Sequence, residues 1–195
     1  MIIKCYNENH PYLVFIDLEF NNKDLVQFAG LLFKRIENET YQLMRSCNQY
    51  VSTKVCFPFM EYTNITNGFL SENGISLQDL KYIVFNDFLA EINLKDVMII
   101  SHGLKNDRLV LVQNGINLTL TDDKKVPIDG YCTFNNAKRI LNREKYVSAL
   151  DLAAECGYYL HHAHNAFNDV WAEVAIFTYL KKVEAQEEQQ CISSI

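Results

Sequence analysis

Residues 12–20 read YLVFIDLEF, a run of β-branched and aromatic side chains interrupted by two acids two positions apart. Such a run predicts a buried strand. Side chains on a strand alternate between its faces, so Asp17 and Glu19 share one face while Ile16, Leu18 and Phe20 take the other. Two adjacent carboxylates in a buried strand repel each other and lose hydration, at a cost of several kcal/mol for each charge left unpaired. Either that face opens to solvent at a sheet edge, or something cationic sits against it. The apolar run that precedes Asp17 favours the cation.

The rest of the chain supplies partners for this strand. Val26–Ile36 and Tyr41–Ser52 read as two further strands of an antiparallel meander, the second link being Glu37-Asn38-Glu39. After an irregular stretch around Pro58 and Asn64, Ser76–Ile92 has helical apolar spacing at Leu77, Leu80, Ile83, Val84, Phe88 and Ile92, with Ser76 and Asp79 as a capping pair. Val97–Ser101 is a short apolar run, hence a buried parallel strand, followed by a helix over Asn106–Asn114. Val126–Gly130 reads as the last strand, and Phe134–Leu141, Ala149–Cys156 and Phe167–Val183 as helices, with a frayed polar tail from Glu184. This order predicts an α/β domain over residues 1–183, a mixed five-stranded sheet with helices on its faces, and a tail over 184–195. The length of 195 residues suits one domain.

Composition narrows the partners. A net charge of −6 argues against a protein held to long nucleic acid by a globally basic surface. The charge is uneven, however: residues 101–150 hold eight basic residues (Lys105, Arg108, Lys124, Lys125, Lys138, Arg139, Arg143, Lys145) against five acidic ones, a net +3 that leaves −9 elsewhere. Lys138, Arg139 and Arg143 are either phosphate contacts or a solvated helix face. The six cysteines form no C-x-x-C pair, so neither a disulfide framework nor a zinc knuckle is indicated, and reduced thiols fit a cytoplasmic protein. No apolar run approaches about 18 residues, so no membrane partner is expected, and the start MIIKCYNENHP lacks the pattern of a secretory leader.

Two further segments hold chemistry-bearing side chains. In His164-Asn165-Ala166-Phe167-Asn168-Asp169, a spacing of five would put His164 and Asp169 about 140° apart on a continuous helix. If Asn165 or Asn168 caps the helix, His164 stays in the preceding loop and Asp169 enters the first turn, so that the two converge. Asp169 as a mere partner of the helix dipole is the alternative. His161 and His162 are rival imidazoles, and with His164 they also match a transition-metal tract, though hard carboxylates elsewhere favour an oxygen-loving ion. The other segment, Ser101-His102-Gly103-Leu104-Lys105-Asn106-Asp107, follows the short apolar strand, and ligands gather beyond the carboxyl ends of parallel strands.

Taken together, D-x-E in the first strand, an Asp after the fourth and H-x4-D opening the last helix resemble, in order and interval, the DEDDh 3′–5′ exonucleases of the DnaQ-like, RNase H-fold superfamily. The resemblance runs from about Tyr12 to Leu180. It includes Gln27-Phe28-Ala29-Gly30 in the second strand, Ile65-Thr66-Asn67 in place of a threonine-bearing turn, and Leu150-Asp151-Leu152-Ala153 before the histidine motif. It departs where family members carry Asn after the middle histidine and an aromatic residue before the Asp, since this chain has Gly103 and Asn106.

The resemblance implies an RNase H-like sheet and hydrolysis of nucleotides from the 3′ ends of single-stranded or frayed DNA or RNA. It further implies two divalent cations, Mg²⁺ or Mn²⁺, on Asp17, Glu19, Asp107 and Asp169, with His164 as the general base. Leu18, Phe20, His102, Lys105, Arg108, Lys138 and Arg139 are the corresponding candidates for substrate contact, Leu18 and Phe20 competing with a plain core role. Family members are often homodimers, which makes a second copy a candidate partner. A non-catalytic module of the same fold, binding nucleic acid or protein, is the alternative reading.

Overall fold

The computed structural model describes residues 1–120, 126–143, 147–159 and 164–193. Lys124, Lys125, Lys145, His161 and His162 therefore lie outside the described residues. Six strands form one sheet: β1 (Ile2–Lys4), β2 (Tyr12–Asn21), β3 (Asp24–Glu37), β4 (Thr40–Tyr50), β5 (Val97–Ser101) and β6 (Asp129–Cys132). Their order is β1-β4-β3-β2-β5-β6. β2, β3 and β4 are the expected antiparallel meander, and β5 and β6 run parallel to β2. The sheet has six strands rather than five because the three-residue β1 pairs with Thr40–Gln42; so short an element leaves no periodicity to read. The last strand is also displaced, to Asp129–Cys132 from the expected Val126–Gly130.

Helices cover both faces. They are α1 (Phe57–Thr63), α2 (Asn67–Asn73), α3 (Leu77–Tyr82), α4 (Leu104–Gln113), α5 (Thr133–Ile140), α6 (Ala149–Glu155) and α7 (Ala166–Ser193). α1 and α2 occupy the stretch expected to be irregular; Pro58 sits in the first turn of α1, where its missing N–H is harmless, and Thr66 caps α2 through its hydroxyl. The expected helix over Ser76–Ile92 is α3, capped by Ser76, running into a π-helical turn at Ile83–Phe88. α7 continues to Ser193 instead of fraying after Val183, and Ala185 and Glu184 are packed, the latter paired with Arg139.

The period-two pattern of β2 divides the core. Leu13 and Phe15 pack with Val170, Phe177 and Leu180 of α7 on one face. Val14, Ile16 and Leu18 pack with Phe88 and α4 residues on the other. Asp17 and Glu19 follow Leu13 and Phe15 on the α7 face. The helices close tightly on the sheet, and at Gly30 a Cβ would lie 2.8 Å from Cζ of Phe88. Gly30→Val is expected to destabilise the protein by about 1–3 kcal/mol through overpacking, measured as a lowered urea midpoint at unchanged slope.

Candidate active site

β2 is the strand at which the sheet changes from antiparallel to parallel. β5 pairs with Tyr12–Phe15 only, so the stretch holding Asp17 and Glu19 runs on past it, with β3 on one side and an opening on the other. Such junctions beyond the carboxyl ends of parallel strands are where ligands bind. The register breaks between Glu19 and Phe20, a bulge that ends the regular alternation immediately after the second acid.

α7 delivers the third acid. Asn165 caps it, its Oδ1 accepting from the backbone N–H of Phe167 at 3.1 Å and Asn168 at 3.4 Å. His164 stands just outside with φ 63°, the left-handed conformation that turns the chain into the helix. The Asp169 carboxylate reaches back to accept from the backbone N–H groups of His164 and Asn165. Capping thus converges the H-x4-D pair as the spacing required. Carboxylate oxygens of Asp17, Glu19 and Asp169 all lie within 4.8 Å of one another. The first turn of α7 is also pinned to the sheet: buried Gln27, opposite Glu19 on β3, accepts from Ala166 N–H at 3.1 Å and donates to Asn48 Oδ1 at 2.9 Å.

Asp107, in the first turn of α4, is buried and accepts a hydrogen bond from Ser101 Oγ. It stands outside the tight trio but close enough to repel Asp17 and Glu19. Burial first, and neighbouring acids second, push Glu19 up to about 8 and hold Asp17 well above the ordinary carboxylate range. Burial also raises Asp107 and Asp169 to about 6, against the pull of the Ser101 hydroxyl on the first and of His164 on the second. Crowded oxygen donors of this kind, short of positive charge, suit a hard divalent cation.

The substrate candidates separate. Leu18 is buried in the core, and Phe20 packs against the same cluster. Both ring nitrogens of His102 are engaged within the protein, with Thr133 and the Val147 carbonyl. Arg108 bonds the Ile128 carbonyl, Arg139 pairs with Glu184, and Lys138 lies over the Phe134 ring, whereas Lys105 is exposed near Asp107. Arg143 forms a two-point pair with Glu155.

Sequence reasoning missed three groups at the site. Tyr62 of α1, half exposed, meets the His164 ring edge-on at 5.4 Å between centroids. Tyr50 reaches Asn165 through its hydroxyl and stacks edge-on with Phe69. Glu173 is fully buried one turn beyond Asp169; its signal was an acid in the otherwise apolar VWAEVAIF.

No protein-family model and no curated protein sequence matches the chain. Solved structures do. Exonuclease X in complex with 5′-overhanging duplex DNA matches with a TM-score of 0.62 at 17% identity, over 89% of this chain and 93% of that one. A 3′-exonuclease, from a structure of 3′-end-specific recognition of histone mRNA stem-loop, matches with a TM-score of 0.65 at 13% identity, over 90% and 84%. E. coli Exonuclease I with a dT13 oligonucleotide matches with a TM-score of 0.67 at 13% identity, over 92% of this chain but 43% of that longer one. The chain therefore has the fold of these exonucleases. Among its described residues no helix is long and apolar enough to cross a membrane.

Two outcomes follow from the geometry. Carboxyl groups raised on folding contribute stability that is complete below their unfolded values and lost as pH climbs through the folded ones. Cation-free protein should thus lose thermal stability between about pH 4 and pH 8, the span from ordinary carboxyl values to the raised ones of Asp107, Asp169 and Glu19. Saturating Mn²⁺ should restore most of it at pH 8, read by scanning calorimetry with and without EDTA. Separately, Gln27→Leu leaves the Ala166 N–H without its acceptor and is expected to cost about 1–3 kcal/mol in denaturant unfolding.

Proposed function

We propose that the chain is a divalent-cation-dependent 3′–5′ exonuclease acting on the 3′ ends of single-stranded or frayed nucleic acid. One observation carries this reading: the oxygens of Asp17, Glu19 and Asp169 gather within 4.8 Å, with His164 alongside, in a fold shared with 3′-exonucleases. Asp17, Glu19 and Asp169 would hold Mg²⁺ or Mn²⁺, and Asp107 would complete the donor set for a second ion. Bound cations would neutralise the scissile phosphate and lower the pKa of water.

The chain's own side chains do the rest. His164, outside the helix and exposed, is free to take a proton from water approaching the phosphate, a transfer suited to imidazole near neutral pH. Asp169 beside it favours the imidazolium that results. Tyr62 packs edge-on against the ring. Half-exposed Tyr62, beside His164, offers a face on which an unpaired terminal base could stack, whatever its sequence.

Matched 5′-labelled DNA and RNA oligonucleotides, incubated with Mg²⁺ or Mn²⁺, test the reading and separate the two sugars. A ladder shortening from the 3′ end is expected, abolished by EDTA and by Asp17→Ala. His164→Ala should lower the rate by about 10²- to 10⁴-fold with little change in cation binding. If neither oligonucleotide is shortened and wild type behaves as Asp17→Ala does, the reading fails; tight binding that survives EDTA without turnover would instead indicate a non-catalytic module.

A further inference from the structure

Glu173 is a fifth acid at the site, which the proposed chemistry leaves without a role. It is 1% exposed, on the sheet-facing side of α7 between Val170 and Phe177. Its Oε1 accepts the backbone N–H of His102 at 2.5 Å, and its Oε2 lies 3.1 Å from Oγ1 of Thr133, the fully buried first residue of α5. The same Oγ1 lies 3.0 Å from Nδ1 of His102, whose Nε2 lies 3.0 Å from the Val147 carbonyl.

Counting hydrogens along this chain leaves two arrangements. A carbonyl only accepts, so Nε2 of His102 bears a proton. If Thr133 donates to an ionised Glu173, then Nδ1 must also bear one, and His102 is an imidazolium. If His102 is neutral, Nδ1 accepts the single hydroxyl proton of Thr133, and the contact between Thr133 and Glu173 requires the proton to be on Oε2. The two arrangements hold the same number of protons and differ only in charge separation. Burial disfavours both charges of the separated form, lowering His102 and raising Glu173 to about 8. Glu173 also faces Asp107 of α4, Asp169 of its own helix and Asp17 of β2, whose charges bound cations would compensate, so burial rather than their repulsion decides between the two arrangements.

We propose that Glu173 is a positioning residue held as a neutral carboxylic acid, donating to Thr133, which donates to His102, so that the turn leading to Asp107 is fixed against the helix that carries Asp169. Where the family pattern has Asn and an aromatic residue, this chain has Gly103 and Asn106, and the buried relay anchors the turn instead. A neutral Glu173 also leaves four acid charges, the number that two divalent cations balance. Its kinetic consequence rests on the exonuclease reading; its protonation does not.

The decisive measurement is imidazole ¹⁵N NMR of the uniformly labelled wild-type protein at pH 7 with Mg²⁺, the His102 signals being identified by their absence in His102→Gln. A neutral Nε2–H tautomer is expected, and an imidazolium would overturn the proposal. Mg²⁺ titration calorimetry on variants adds a second readout. Glu173→Leu should weaken cation binding by about 10- to 100-fold, whereas Glu173→Gln, whose amide N–H replaces the acid's O–H, should remain within about threefold of wild type. A Gln variant as impaired as Leu would mean that an ionised carboxylate is required, and the proposal would fall. Both measurements stand if no nuclease activity is found, so failure here is distinct from failure of the exonuclease reading.

Discussion

Carboxylates crowded where water is scarce repel one another, and the architecture around Asp17 has to hold them together against that repulsion. It does so with elements stiffer than the repulsion is strong. β2 is hydrogen-bonded to β3 along its length and to β5 along its first half, so Asp17 and Glu19 cannot swing apart. α7 is held by apolar burial, and Val170, Ile176, Phe177 and Leu180 each contribute about 1.5–3 kcal/mol. That burial offsets part of the several kcal/mol lost at each unpaired acid. Gln27 and the Asn165 cap then fix where the helix begins, which sets the separation of Asp169 from the strand acids.

Polar donors trim the remaining imbalance unevenly. Asp107 has the Ser101 hydroxyl, and Asp169 has two backbone N–H groups and His164. Asp17 and Glu19 are raised by burial and neighbouring acids, with no hydrogen bond among the described residues to lower either. The two strand acids therefore have the most to gain from a bound cation, and the two helix acids are already partly satisfied. The arrangement reads as a site whose charge is completed from outside.

What the sequence made legible follows from periodicity and capping. The two-residue alternation in YLVFIDLEF assigned Asp17 and Glu19 to one face because burial on the other face is strict, and the Asn165 cap gave His164 and Asp169 their common site. What escaped notice lacked a period. β1 is too short to show one, α1 and α2 each span two turns, and the π-helical turn at Ile83–Phe88 shifts the helical phase. The polar run after Val183 was read as frayed because its stabilising contacts, such as Arg139 with Glu184 and Asn7 with Glu188, join residues remote in sequence. Gln27 and Glu173 escaped notice as working groups for the same reason: their partners, Ala166 and His102, are 139 and 71 residues away.

The basic stretch between residues 101 and 150 carries a lesson about charge. Its excess of positive residues invited a phosphate-binding surface, but a guanidinium already paired with a carboxylate offers little to a phosphate without first losing that partner. Arg139 and Arg143 are so paired, Arg108 is engaged with backbone, and Lys138 rests on an aromatic ring. On the proposed function, with these described cations engaged and an overall charge of −6, much of the attraction for a polyanion would be concentrated where divalent cations bind. Divalent ions on Asp17, Glu19 and Asp169 would cancel the negative field at one point and leave the remaining surface acidic. A long nucleic acid would then gain little along its length, while a strand end reaching the ions would gain most of the available binding. On the proposed function, the acidity of the chain works as a selector for ends.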